Sequence, residues 1–196
     1  MLAYVFWHQR ASNVEKVEYQ ERLIAFHQIL QERRIQGFKG SIVLEMPQLP
    51  WMREGSEVYE DWYLVENSAA LDLVDGAAVS GICREPHNQV ARLAGYGTGG
   101  LYRLKDGATT PATFASIRSV TWFGKPAGMS YAQLYSLLQA ANIEQQDIFW
   151  QRQMTMGPAL EFCVHTSQTY LLTENIESLQ VAAQPLFVPE GSNQAL

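Results

Sequence analysis

The feature that most constrains this chain is an internal echo. Residues 149–165, FWQRQMTMGPALEFCVH, read as two short strands joined at Gly157-Pro158. They repeat in abbreviated form residues 38–65, where FKGSIVLEM leads through a longer loop to YEDWYLV. The likeness extends outward. YVFWHQ (4–9) matches SVTWFGK (119–125), EYQERLIAFHQIL (18–30) matches SYAQLYSLLQA (130–140), and YEDWYLVENS (59–68) matches LEFCVHTSQT (160–169). A unit used twice must pack its copies together, because a lone sheet leaves an apolar face in water.

Residues 2–9 are nearly all apolar or aromatic and read as a buried strand. A helix follows over 15–33. Tyr19, Leu23, Phe26 and Leu30 fall on one face, Glu15, Glu18 and Glu21 lie near its start, Arg33-Arg34 at its end, and Gly37 stops it. Residues 38–46 form a second strand, with Phe38, Ile42, Leu44 and Met46 on one face and Lys39, Ser41 and Glu45 on the other. Residues 47–58 read as a loop anchored by Trp51. A third strand covers 59–65, a helix capped by Ser68 covers 69–79, and Pro86 suits the first turn of a helix over 87–94. The glycine run 95–100 reads as a turn into a fourth strand, 101–105. The order so far is β-α-β-β-α-β. After a small, polar linker (106–115) the pattern restarts: a strand over 117–123, a helix over 131–141 capped by Ser130, and strands over 147–156 and 160–166. A final strand is missing unless 169–172 supplies it, and 174–180 suits a helical turn. The expected division is a first unit at 1–107, an abbreviated second unit at 116–181, and an irregular tail at 182–196.

Composition removes several function classes. With 47% hydrophobic and 17% charged residues the chain is globular. A net charge of -6 is unsuited to neutralising nucleic-acid phosphates or anionic lipid. No apolar run is long enough for a bilayer, and the N-terminus lacks the pattern of a secretory signal. Cys83 and Cys163 lie in no metal-type spacing; two free, buried thiols in a cytoplasmic protein is the expectation.

A tandem pair of β-α-β-β units with Trp and Tyr on the strands resembles the dimeric α+β barrel group of ferredoxin-like proteins, over about residues 2–166. That group includes small monooxygenases and chlorite-dismutase-like haem proteins. The resemblance implies an α+β fold in which two sheets close a barrel, within one chain or between two. The chain departs from the haem branch: it is short, and none of its four histidines can be placed in a proximal-ligand motif. No cofactor is expected, and a homodimer is.

Among single residues, Arg152 stands out. In a strand running to Met156 it would share an apolar face with Trp150, Met154 and Met156, and its charge would need a carboxylate, a carbonyl or a ligand. A structural ion pair is the alternative. His8 and Lys125 occupy equivalent strand ends, where barrel pockets open. Glu161, Cys163 and His165 project from one strand face, expected to be the wetter one rather than a metal site. His27 is expected to pack beside the sheet, and His87 to sit exposed near Glu85. The run 95–100 matches neither a P-loop nor a dinucleotide fingerprint. The reading ranked first is a protein that binds a small apolar or aromatic molecule in a barrel pocket through Arg152, His8, Lys125, Trp150 and His165, with no catalytic residue assigned. The alternatives are a cofactor-independent monooxygenase or isomerase, in which a histidine moves the proton, and a structural dimerisation module with a filled barrel.

Overall fold

The computed structural model describes residues 1–55, 57–140, 147–168 and 176–189. In the first unit, β1 (Leu2–Arg10), α1 (Lys16–Glu32), β2 (Phe38–Met46), β3 (Val58–Val65), α2 (Ser68–Ala78), α3 (Arg84–Leu93) and β4 (Ala94–Asp106) follow in turn. The second holds α4 (Pro111–Ala115), β5 (Ser119–Phe123), α5 (Tyr131–Ala140), β6 (Ile148–Arg152), β7 (Phe162–Thr166), β8 (Ser178–Ala182) and β9 (Gln184–Phe187).

All nine strands join one antiparallel sheet, ordered β8-β5-β7-β6-β4-β1-β3-β2-β9. Its two halves repeat one permutation. The run β4-β1-β3-β2 is the fourth, first, third and second strand of the first unit, and β8-β5-β7-β6 is the same order in the second. The repeat seen in sequence is thus a repeat of topology. The halves join through the last part of β4, which pairs with β1 along one edge and with β6 along the other. The mirror-image join uses β8 and β9. Only Ala183 separates them, yet β8 pairs with β5 at one end of the sheet and β9 with β2 at the other. One nearly continuous strand therefore draws both edges together and closes the sheet into a barrel within a single chain.

Strand alternation sorts side chains between inside and outside. Ala3, Val5, Trp7, Ile42, Leu44, Trp62, Tyr102, Trp122, Trp150 and Cys163 share one buried cluster drawn from both halves, the barrel interior. Trp7, Trp62, Trp122 and Trp150 fill it with rings that meet at 4.9–6.3 Å. Helices α1, α2 and α3 cover the outer face of the first half, and α5 packs on Phe123, Phe149 and Phe162 outside the second.

Several expectations give way. The glycine run is part of β4, not a turn. A Cβ on Gly97 would meet the ring of Phe6, and one on Gly99 would come within 2.6 Å of the Tyr4 hydroxyl, so the glycines let two rings of β1 lie across their neighbour. Asn67, not Ser68, caps α2, accepting from the Ala70 N–H at 3.1 Å. The linker contains α4, whose Thr110 cap and Pro111 start make a short helix. Strand β6 stops at Arg152, before Met154 at φ 50 breaks the extension. Residues 178–180 belong to β8 rather than to a helical turn, and the expected irregular tail supplies β9. Pro185 masks that strand in sequence and is tolerated where the β2–β9 register shifts. The strand proposed at 169–172 lies outside the described residues.

Candidate functional site

Strand β3 carries Glu60 and Asp61 side by side, so they face opposite ways. Glu60 points into the barrel with Trp62, and Asp61 points outward with Tyr59 and Tyr63 toward the helices. Both are buried.

Outside, two imidazoles converge on Asp61. His8 Nε2 of β1 lies 3.1 Å and His27 Nε2 of α1 lies 3.2 Å from Oδ2. The Tyr63 hydroxyl donates to the same oxygen at 3.2 Å. With Nε2 turned to the carboxylate, each histidine keeps Nδ1 for a hydroxyl: Tyr19 at 2.6 Å for His8 and Ser41 at 2.7 Å for His27. Burial alone would raise the Asp61 carboxyl. The attraction of His8 and His27, with their hydrogen bonding, outweighs it and holds the group well below the usual carboxylate range. The Tyr19 hydroxyl is pushed far above the usual phenol range by burial and by Asp61, so it keeps its proton.

This cluster lies at the base of a cavity of about 630 Å³ between the outer face of the sheet and α1, α2 and α3. Its floor is aromatic: Tyr4 stacks on Phe6 at 6.4 Å and Phe6 on His8 at 5.1 Å. Leu23 and Phe26 of α1, with Leu71 and Val74 of α2, wall it. Asp61, His8 and Tyr19 supply polar groups to a mostly apolar space, the composition of a small-molecule site. A carboxylate that orients an imidazole against a phenol is also a proton-transfer array.

Inside the barrel, Trp7 Nε1 donates to Glu60 Oε1 at 2.7 Å, and Glu60 Oε2 lies 4.0 Å from His165 Nε2. Burial raises the Glu60 carboxyl to about 8, against hydrogen bonds from Trp62 and Trp7 that favour its charged form. Burial lowers His165 to about 3. Near neutral pH both are uncharged.

The residues singled out in sequence fall in separate places. His8 lines the cavity. Trp150 and His165 meet inside the barrel against Trp62, at 4.9 and 4.5 Å between rings. The face of β7 expected to be wetter is therefore interior at Cys163 and His165, while Glu161 at the strand's approach accepts from Tyr131 and Gln151. Arg152 donates to the carbonyls of Gly157 and Ala159, clamping the loop after β6. Lys125 donates to the carbonyls of Pro126 and Met129 and sits 5.5 Å over the Tyr131 ring. Sequence reasoning missed Asp61 and gave His27 only a packing role. A signal existed: in YEDWY each acid shares a strand face with aromatic residues, so neither had a solvated side.

No family model matches the chain, and no curated protein is similar to it in sequence. Solved structures do share its architecture. A putative monooxygenase from Lactobacillus acidophilus NCFM superposes over 95% of this chain and 94% of its own, with a TM-score of 0.56 and 9% identity. The fold is that of the dimeric α+β barrel proteins. A putative chlorite dismutase superposes over 94% of this chain and 95% of its own, with a TM-score of 0.49 and 7% identity. At 9% identity the likeness to the first of these speaks for the fold alone. Among the described residues, no three His, Cys, Asp or Glu side chains group as a metal site, and no helix is long and apolar enough to cross a membrane.

Proposed function

We propose that this α+β barrel binds a small, largely apolar or aromatic molecule in the cavity under α1, α2 and α3. The observation that carries the reading is the Asp61–His8–Tyr19 array at the base of that aromatic-floored cavity. The molecule lies outside the barrel wall, not within it, because tryptophans occupy the interior. His8 is the one sequence-predicted residue with a direct part. Arg152, Lys125, Trp150 and His165 do not line the cavity: the first two hold loops of the second half and the last two pack inside the barrel.

A histidine held by a carboxylate and lining the cavity also favours the enzymatic alternative, proton transfer of the isomerase or cofactor-independent oxygenase kind. With His8 in its neutral form, protonated at Nε2, Nδ1 takes the Tyr19 proton as the phenol oxygen receives one from the bound molecule, and Asp61 stabilises the imidazolium that forms. The free thiols of Cys83 and Cys163 support a cytoplasmic setting. Since the barrel closes within one chain, a homodimer would form through outer surfaces.

Thermal unfolding against a panel of small aromatic compounds tests the binding reading. A ligand of the native state at a hundredfold excess over Kd adds ~2.7 kcal/mol. The shift is expected in the parent and reduced in His8→Gln. If no compound moves the midpoint, the reading is wrong.

A further inference from the structure

Around the cavity, carboxylates stand against histidines alone among the described residues. Asp61 stands at its base, and Asp72 and Asp75, three residues apart on one face of α2, stand exposed at its rim. Among the described residues no Lys or Arg lines it, and His8 and His87 are the basic side chains there. Asp61 is 2% exposed, and while Oδ2 is engaged by His8, His27 and Tyr63, its Oδ1 has no hydrogen-bond partner among the described residues. Asp61 lines the cavity, and a buried carboxylate oxygen without a donor is a costly arrangement that a donor on a bound molecule would relieve.

We infer that the molecule bound here is an organic cation, a flat apolar or aromatic body carrying an ammonium group. Its body lies on the Tyr4–Phe6–His8 ladder. Its ammonium faces Asp61 Oδ1 over the electron-rich Tyr4 and Tyr63 rings, and Asp72 and Asp75 attract it from the rim. Two glycines of β4, Gly97 and Gly99, allow the rings of Phe6 and Tyr4 to lie flat enough to form that floor. Burial raises the Tyr4 hydroxyl above the usual phenol range, and Asp61 and Asp75 raise it further. An anionic ligand would meet three carboxylates, with histidines as the only basic side chains lining the cavity among the described residues.

This inference rests on the small-molecule reading, and the test separates the two. Naphthylmethylamine, naphthalenemethanol and naphthoate share a body and differ in charge. Each is titrated against the intact chain by ligand-observed NMR at low and high salt. The amine is expected to bind about tenfold more tightly than the alcohol, the preference falling with salt. In the double variant Asp72→Asn, Asp75→Asn, whose positions are exposed, the preference is expected to shrink to within about threefold while the alcohol binds as before. Tighter binding of the alcohol or naphthoate overturns the cation inference and leaves the small-molecule reading standing. A preference that the double variant leaves intact overturns the part given to Asp72 and Asp75 and leaves Asp61 as the ammonium's partner. No binding by any of the three overturns both.

Discussion

Glu60→Gln probes the barrel interior. In the folded chain the Glu60 carboxyl titrates at about 8, whereas unfolded it returns to the ordinary range near 4.5. Its folded value is raised, so the folded state binds the proton more tightly. Native stability therefore declines as pH rises from the unfolded value through the folded one. Each pH unit in that window costs about 1.4 kcal/mol, and the whole window about 5 kcal/mol. That is a large share of the ~5–15 kcal/mol that holds a typical domain. Gln keeps the acceptor for Trp7 Nε1 and removes the titration. Urea denaturation at half-unit steps from pH 5 to 9, for parent and variant, isolates the effect as a difference. Near pH 5 the two should be alike within about 1 kcal/mol, and by pH 9 the variant should be more stable by several kcal/mol. A difference that stays flat across the range would refute the reasoning. It would mean that Glu60 is ionised inside the barrel, compensated by a protonated His165 across their 4.0 Å gap.

Other expectations follow from the same contacts. His165 carries the opposite slope: its folded value, lowered to about 3, makes its contribution full above about 6.5 and lost as pH falls toward 3, so His165→Leu should flatten acid unfolding across that window, followed by tryptophan fluorescence. Asp61→Asn should cost about 3–5 kcal/mol at neutral pH by stranding His8 and His27, and because Asp61 is held low, the parent should lose that contribution only below about pH 4 in acid titration. Arg152→Ala removes guanidinium bonds to the carbonyls of Met154, Gly157 and Ala159 and should lower stability by about 2 kcal/mol in denaturant melts without changing the affinity of any cavity ligand. Gly97→Ala pushes the Phe6 ring toward the cavity and should weaken ligand binding more than it shifts the melting midpoint, measured side by side.

Much of the wall was legible in sequence because strand periodicity is local. The alternation in residues 38–46 and the apolar run at 2–9 place β1 and β2 within a residue or so of where they lie. The echo between 59–68 and 160–169 foretells that β3 and β7 hold the same place in their sheets. What escaped depends on partners far along the chain. Gly95–Gly100 looks like a turn until the rings of Tyr4 and Phe6 are laid over it, and Pro185 looks like a breaker until β2 lies beside it. The site was half legible. His8 stood out as a strand-end polar residue, but Asp61 required asking what burial on both faces does to two neighbouring carboxylates. His27 gained its role only when α1 crossed β3.

The seam at Ala183 bears on how the molecule comes to exist. Residues 178–187 are the last part of the wall to leave a ribosome, and until they emerge the growing sheet has two open margins, β5 at one end and β2 at the other. Each is a row of unpaired amides able to recruit a neighbouring chain. Joining β9 to β2 also closes a loop of roughly 140 residues, among the slowest steps a fold of this size can require. A chain cut before residue 178 would keep most of its core and lose its closure, and its expected fate is edge-to-edge aggregation rather than simple unfolding.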